Sequence, residues 1–260
     1  MFNYPFMQNA YVVGTLIAIV SGFIGVFVVA RSMSFLAHVL SEIGFAGASF
    51  ALFMGWSPLL GMLGFTLVSS ASIGQLDMGD ERRSESTVSA VSSVAIGLGI
   101  AFLALSQKNA SSATSILFGS IFSISHANIV QVIILTLAVL LVGVVLYRPL
   151  RHVAFDHATA VDSLPYVKIV DVVFLVLMAT TVAVSAQVVG SLLIFILMTL
   201  PASAAMRWGR RVSHMIGLAT IFALVGVWGA LALSYWTNVP VSFFIAMIES
   251  MIYFASTAAR

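Results

Sequence analysis

Apolar stretches of about 20 residues follow one another along this sequence, each separated from the next by a short polar interruption. A helix needs about 20 residues to cross the hydrocarbon core of a bilayer. The stretches cover residues 10–30, 35–55, 57–76, 88–106, 127–147, 168–186, 188–206, 212–234 and 240–258. The sequence therefore predicts an all-α, polytopic membrane bundle that forms a single domain over residues 1–260.

The number of spans depends on residues 168–206. They hold either two spans or one span followed by a re-entrant segment around Gln187 and Gly190. The prediction is accordingly eight or nine transmembrane helices.

Composition supports helices in a membrane over the other possible folds. Hydrophobic residues make up 61% of the chain and charged residues only 8%, whereas soluble domains carry roughly a quarter charged residues. A transmembrane β-barrel would show short segments of alternating polarity, and these apolar runs do not alternate. The chain has no cysteine, which excludes disulfides and thiolate metal sites.

The basic residues follow the positive-inside pattern. If the N-terminus is outside, the cytoplasmic side holds Arg31, Arg82, Arg83, Arg148, Arg151, Arg207, Arg210, Arg211 and Arg260, and Lys108 lies outside. The net charge of +2 is thus a topology signal, and we expect no nucleic-acid partner. The pattern predicts a multi-pass protein of the inner or plasma membrane.

Hydrolytic motifs are missing from the sequence. It contains neither H-E-x-x-H nor G-x-S-x-G, and neither Lys108 nor Lys168 follows a glycine, which excludes a Walker A loop. We therefore expect no enzyme activity, and any ATP hydrolysis must take place on another chain.

His38 and Glu42 are the most informative polar residues, because ionisable groups inside an apolar span are costly and usually functional. Four residues apart on a helix, they share one face. Imidazole and carboxylate together suit Zn²⁺, Mn²⁺ or Fe²⁺. The same residues are also compatible with a hydrogen-bonded structural pair or with a proton relay.

Two further acidic residues lie in or near apolar runs. We expect Asp171, close to Lys168, to lie at the membrane interface. Glu249 has no charged sequence neighbour, and we expect a packing role for it.

Four stretches of the sequence resemble the metal-uptake ABC permeases of the zinc/manganese/iron family. They are GVFVVARSMSFLAHVLSEIGFAGASFALFMG at 25–55, ERRSESTVSAVSSVAIGLGIAFLAL at 81–105, SILFGSIFSIS at 115–125 and QVVGSLLIFILMTLPASAAMRWGRR at 187–211. In that family an Asp and, four residues later, a His are implicated in metal coordination. The matching residues here, His38 and Glu42, keep one imidazole and one carboxylate in the opposite order.

The resemblance implies a type II-like importer permease that works as a homodimer with two ATPase subunits and an extracytoplasmic metal-binding protein. ATP would bind the ATPase, no cofactor would be held permanently, and manganese, zinc or iron would be the substrate.

The resemblance also implies an ATPase-coupling segment at the cytoplasmic face. Its residues are Pro201, Ala202, Ser203, Arg207, Arg210 and Arg211. Pro201 is expected to break or redirect its helix. The polar stretch 147–165, which contains Asp156, is the second candidate for docking, and a plain basic loop that fixes topology is the alternative for 201–211.

Three other functions remain compatible with these residues. The first is a secondary transporter driven by an ion gradient, with His38, Glu42 and Glu249 as a relay. The second is a membrane scaffold that transports nothing. The third is the same ABC assembly with a metal chelate or an organic solute as cargo.

Overall fold

The structure is a computed structural model that describes residues 4–75, 81–106, 115–119, 121–123, 125–156, 159–160 and 166–258. Lys108 and Arg260 lie outside these residues, as do the side chains at 81–87. The longer helices are α1 (Pro5–Ala30), α2 (Ser34–Met54), α3 (Pro58–Gln75), α4 (Glu81–Leu105), α5 (His126–Val145), α6 (Tyr147–Phe155), α7 (Val167–Val189), α8 (Ser191–Trp208), α9 (Val212–Thr237) and α10 (Val241–Ala258).

The predicted membrane bundle is confirmed. Among the described residues, 8 helices are long and apolar enough to cross a membrane. α3, which matches the predicted stretch 57–76, is not among these eight, because its apolar part, Pro58–Ile73, is shorter. α2 packs on α3 and α4, while α1 packs on α8 and α9.

Gly190 alone separates α7 from α8, so residues 168–206 form two distinct helices. Its φ of +101° is a conformation that only glycine adopts readily. A Cβ at Gly190 would lie 2.4 Å from the Leu117 carbonyl oxygen. A Cβ at Gly119, whose φ is +78°, would likewise lie 2.4 Å from the Val188 carbonyl oxygen. Glycine at both positions therefore allows the backbone at 117–119 to contact the backbone at 188–190.

The polar stretch at 147–165 begins with a helix, α6, which the apolar pattern did not predict. Leu150, Val153 and Ala154 are buried on one face, while Arg148 and Arg151 are exposed. A nine-residue helix with so few apolar positions is too short and too polar for a membrane span. It is an amphipathic helix at one end of the bundle.

The expectation that Pro201 breaks its helix was wrong. α8 continues through Pro201 to Trp208. The small residues around it pack closely on α1, where a Cβ at Gly25 would meet Ala202 Cβ at 3.4 Å. Membrane helices tolerate proline when neighbouring helices support the chain.

Arg31 forms an ion pair with Asp171, which joins the end of α1 to the start of α7. The Arg31 guanidinium also lies 4.7 Å from the centroid of the Phe174 ring. Burial lowers the pKa of Arg31, and the Asp171 carboxylate acts in the opposite direction. Asp171 therefore has a charged partner 140 residues away in sequence, at the end of the bundle that the basic residues assign to the cytoplasm.

Candidate metal site and cytoplasmic face

Close packing of α2 against α3 fixes the position of the candidate site. Backbone meets backbone at this contact, since a Cβ at Gly47 would lie 2.2 Å from the Gly61 carbonyl oxygen. Small residues at helix contacts are the usual means of association in membranes. His38, Ser41 and Glu42 share one face of α2, on the side of the helix opposite Gly47.

The side chains of His38 and Glu42 approach each other as the spacing predicts. His38 Nε2 lies 3.4 Å from Glu42 Oε1, and the two side chains are 35% and 17% exposed. This separation exceeds the roughly 2.7–3.2 Å of an N–H···O hydrogen bond. Two ligand atoms about 2.1 Å from one ion lie about 3.4 Å apart at a tetrahedral angle and about 3.0 Å apart at an octahedral angle. The geometry therefore fits a pair of metal ligands.

Three contacts join this part of α2 to α4 and α8. The Phe195 ring of α8 lies 4.9 Å from the His38 ring, centroid to centroid. Ser41 donates a hydrogen bond to the Ser191 carbonyl oxygen at the start of α8. Ser92 of α4 donates a hydrogen bond to Glu42 Oε2. The site is thus built by α2, α4 and α8 together.

Sequence reasoning did not find Ser92. It is one of several serines in α4, and its partner is 50 residues away. Its spacing from Val88 and Ala95, both buried, is the one local signal that it faces inward.

The other acidic candidates lie away from this site. Glu249 is 0% exposed and packs against Gly226 of α9, and no described residue forms a hydrogen bond with either of its carboxylate oxygens. The described part of the chain holds no group of three or more His, Cys, Asp or Glu side chains that a metal ion would need. Among the described residues, His38 and Glu42 are therefore a pair of candidate ligands and not a complete metal site.

The predicted coupling residues occupy two different environments. Pro201 and Ala202 are buried in α8, and Ser203 is half-buried. Arg207 donates a hydrogen bond from Nη2 to the Tyr253 hydroxyl at 3.3 Å. Arg210 and Arg211, which precede α9, are exposed.

A groove between α6 and the start of α9 brings the end of the predicted coupling segment next to the second docking candidate. Arg148, Arg151, His152, Asp156, Arg210 and Arg211 are among its lining residues. Within the described ranges, none of these four arginines forms an ion pair with a carboxylate. The groove is therefore a basic, open surface at the end of the bundle that carries Arg31 and Asp171.

These features define a multi-pass membrane transport protein. Residues 3–260 match the ABC 3 transport family, and the chain belongs to that family. The predicted resemblance and the predicted location in the inner or plasma membrane are both confirmed.

Relatives match over nearly the whole chain. The manganese transport system membrane protein MntC of Listeria monocytogenes is 27% identical, over 98% of this chain and 90% of its own length. The high-affinity zinc uptake system membrane protein ZnuB of Haemophilus influenzae is 24% identical, over 86% of each chain. The solved structure of PsaBC from Streptococcus pneumoniae in complex with Fab matches with a TM-score of 0.88 at 23% identity, covering 97% of this chain and 91% of that one. This structural match confirms the predicted all-α membrane fold.

Proposed function

We propose that this chain is the membrane-spanning permease subunit of an ATP-driven importer of a divalent metal ion, manganese, zinc or iron. The observation that carries the proposal is the His38–Glu42 pair, whose ligand atoms lie 3.4 Å apart on a partly exposed face of α2. The names of the relatives, which transport manganese or take up zinc, support the same class of cargo.

A second copy of the chain completes the proposed metal site. Zn²⁺ takes four ligands, and harder divalent ions take six or more. One chain offers two, so two protomers related by a twofold axis would supply two imidazoles and two carboxylates. Water or the metal-binding protein would supply any remaining ligand.

The transport path needs such a site because a divalent ion cannot leave water for an apolar lining without replacement ligands. The part-exposed His38 and Glu42 would receive the ion from an extracytoplasmic binding protein. Binding by only a few ligands also allows release, which transport requires.

ATP hydrolysis takes place on a separate ATPase subunit that docks at the basic groove. The groove brings Arg210 and Arg211, at the end of the segment 201–211, next to α6 and Asp156, so parts of both predicted docking segments form one surface. α8 then links the groove to the metal site, since Arg207 lies near its cytoplasmic end and Phe195 lies against His38. ATP binding would shift the dimer between states by contacting one of them more favourably.

Uptake into proteoliposomes tests the proposed function. Vesicles hold the chain with its candidate ATPase and binding protein, and Mn²⁺, Zn²⁺ and Fe²⁺ are supplied one at a time. We expect saturable, ATP-dependent uptake of at least one metal, lost in His38→Ala and in Glu42→Ala while the assembled complex remains intact. Uptake that needs a proton gradient and no ATPase would indicate a secondary transporter instead. No metal uptake with ATP or with an ion gradient would refute the proposal.

Charge reversal tests the docking surface separately. Arg210→Glu combined with Arg211→Glu is expected to reduce co-purification of the ATPase by about tenfold or more, since like charges across an interface cost several kcal/mol. Lys168→Glu is the matched control, because Lys168 is an exposed cation outside the groove. Equal losses in both variants would contradict docking at the groove.

A further inference from the structure

Ser92 differs from most other serines and threonines in these helices. The usual arrangement is a hydroxyl that donates back to a carbonyl of its own helix, as Ser93 does to Ser89 at 3.0 Å. Ser92, next to it, donates across to Glu42 of α2 instead. Ser92 is 8% exposed whereas Ser93 is exposed.

The hydrogen bond distinguishes the two oxygens of the Glu42 carboxylate. Ser92 binds Oε2, while Oε1 is the oxygen that faces His38 Nε2. A carboxylate with one oxygen held by a hydroxyl presents the other to a metal ion. A free carboxylate can rotate and present both oxygens, as it often does to large cations such as Ca²⁺.

We propose that Ser92 is a positioning residue of the metal site, which holds Glu42 as a one-oxygen ligand directed at the ion shared with His38. The proposal rests on the proposed function and goes further, since it assigns a residue of α4 to the affinity and selectivity of the site. Groups that orient a ligand from outside typically change metal affinity by about 10–100-fold when removed.

The position of Ser92 favours this role over a purely structural one. Val91 and Val94, next to it on α4, are 46% and 62% exposed, whereas Val88 and Ala95, on the same face of α4 as Ser92, are buried, so apolar residues on both sides of Ser92 hold this face of α4 against the bundle. With these apolar contacts kept, loss of the Ser92 hydroxyl has little effect on folding, but it removes the hydrogen-bond donor from the Glu42 carboxylate.

The test compares Ser92→Ala, Ser92→Thr and Ser93→Ala in the complete importer in proteoliposomes. Mn²⁺, Zn²⁺ and Fe²⁺ are again supplied alone, and Ca²⁺ is then added as a competitor. In Ser92→Ala we expect the half-saturating concentration of the transported metal to rise about tenfold with the maximal rate within about twofold of the wild type. We also expect Ca²⁺ to inhibit metal uptake by Ser92→Ala at a lower concentration than it inhibits uptake by the wild type.

The other two variants decide between positioning and structure. Ser92→Thr keeps a hydroxyl and is expected to restore the half-saturating concentration to within about threefold, and Ser93→Ala should match the wild type. An unchanged half-saturating concentration in Ser92→Ala, or equal defects in the alanine and threonine variants, would overturn the role of Ser92 alone. Absence of metal uptake by the wild type would overturn the proposed function, and with it the role of Ser92.

Discussion

The contact between Gly190 and Gly119 leads to a prediction whose size follows from the geometry. In Gly190→Ala the new Cβ would lie 2.4 Å from the Leu117 oxygen and 2.5 Å from the Gly119 nitrogen. Both are backbone atoms, so no rotamer change relieves the overlap. The 115–119 segment must move away by about 1 Å to reach an ordinary contact of 3.4 Å or more.

Two costs add in this variant. A non-glycine residue at φ +101° carries about 1–3 kcal/mol of strain. Overpacking of a close contact costs about 1–3 kcal/mol more. The free energy of unfolding is therefore expected to fall by about 2–6 kcal/mol, which lowers Tm by about 4 °C or more for a chain of this size.

Thermal unfolding of the purified protein in detergent measures this effect. Gly64→Ala is the matched control, because a Cβ at Gly64 meets nothing within 4 Å and alanine is the better helix former. We expect the Tm of the control to equal or slightly exceed that of the wild type. A Gly190→Ala protein as stable as this control would refute the close contact between the two backbones.

Two further predictions concern the remaining ionisable groups. Asp171→Asn leaves the Arg31 side chain, which is 8% exposed, without its carboxylate partner. We expect the free energy of unfolding to fall by about 2–3 kcal/mol, at or below the low end for breaking a buried ion pair, because Asp171 is 29% exposed. Tm measurement checks it, with Asp171→Glu as the control that keeps the charge, and equal Tm values for wild type and Asp171→Asn would contradict it. Glu249→Met removes a buried carboxyl that has no hydrogen-bond partner in the described part of the chain, so Tm should be unchanged or higher and metal uptake should persist. Loss of uptake in this variant with normal Tm would instead support a relay that includes Glu249.

The membrane spans could be predicted from the sequence because hydropathy is a local property. Each span needs only its own apolar residues, and most of the helices lie within a few residues of the predicted stretches, although α1 and α4 begin earlier, at Pro5 and Glu81. α6 could not be predicted in this way, because three buried residues on a nine-residue helix do not form an apolar run. Continuation of α8 through Pro201 likewise depends on support from α1, which the sequence of α8 does not contain.

The candidate site was predictable only where its residues share one helix. His38 and Glu42 are four residues apart, and helical geometry alone brings them together. Ser92 and Phe195 reach the same place from α4 and α8, through contacts that no local pattern records. Arg31 and Asp171 pair across 140 residues for the same reason.

Replacement of Glu42 by Gln tests the central claim most directly, because it keeps the shape of the side chain and an oxygen for Ser92 while it removes the negative charge. The measurement is the initial rate of ATP-dependent metal uptake by the assembled importer in proteoliposomes. If His38 and Glu42 bind the ion during transport, Glu42→Gln should lower uptake at limiting metal concentration by about tenfold or more, with complex assembly unchanged. Uptake equal to that of the wild type at every metal concentration would contradict the account.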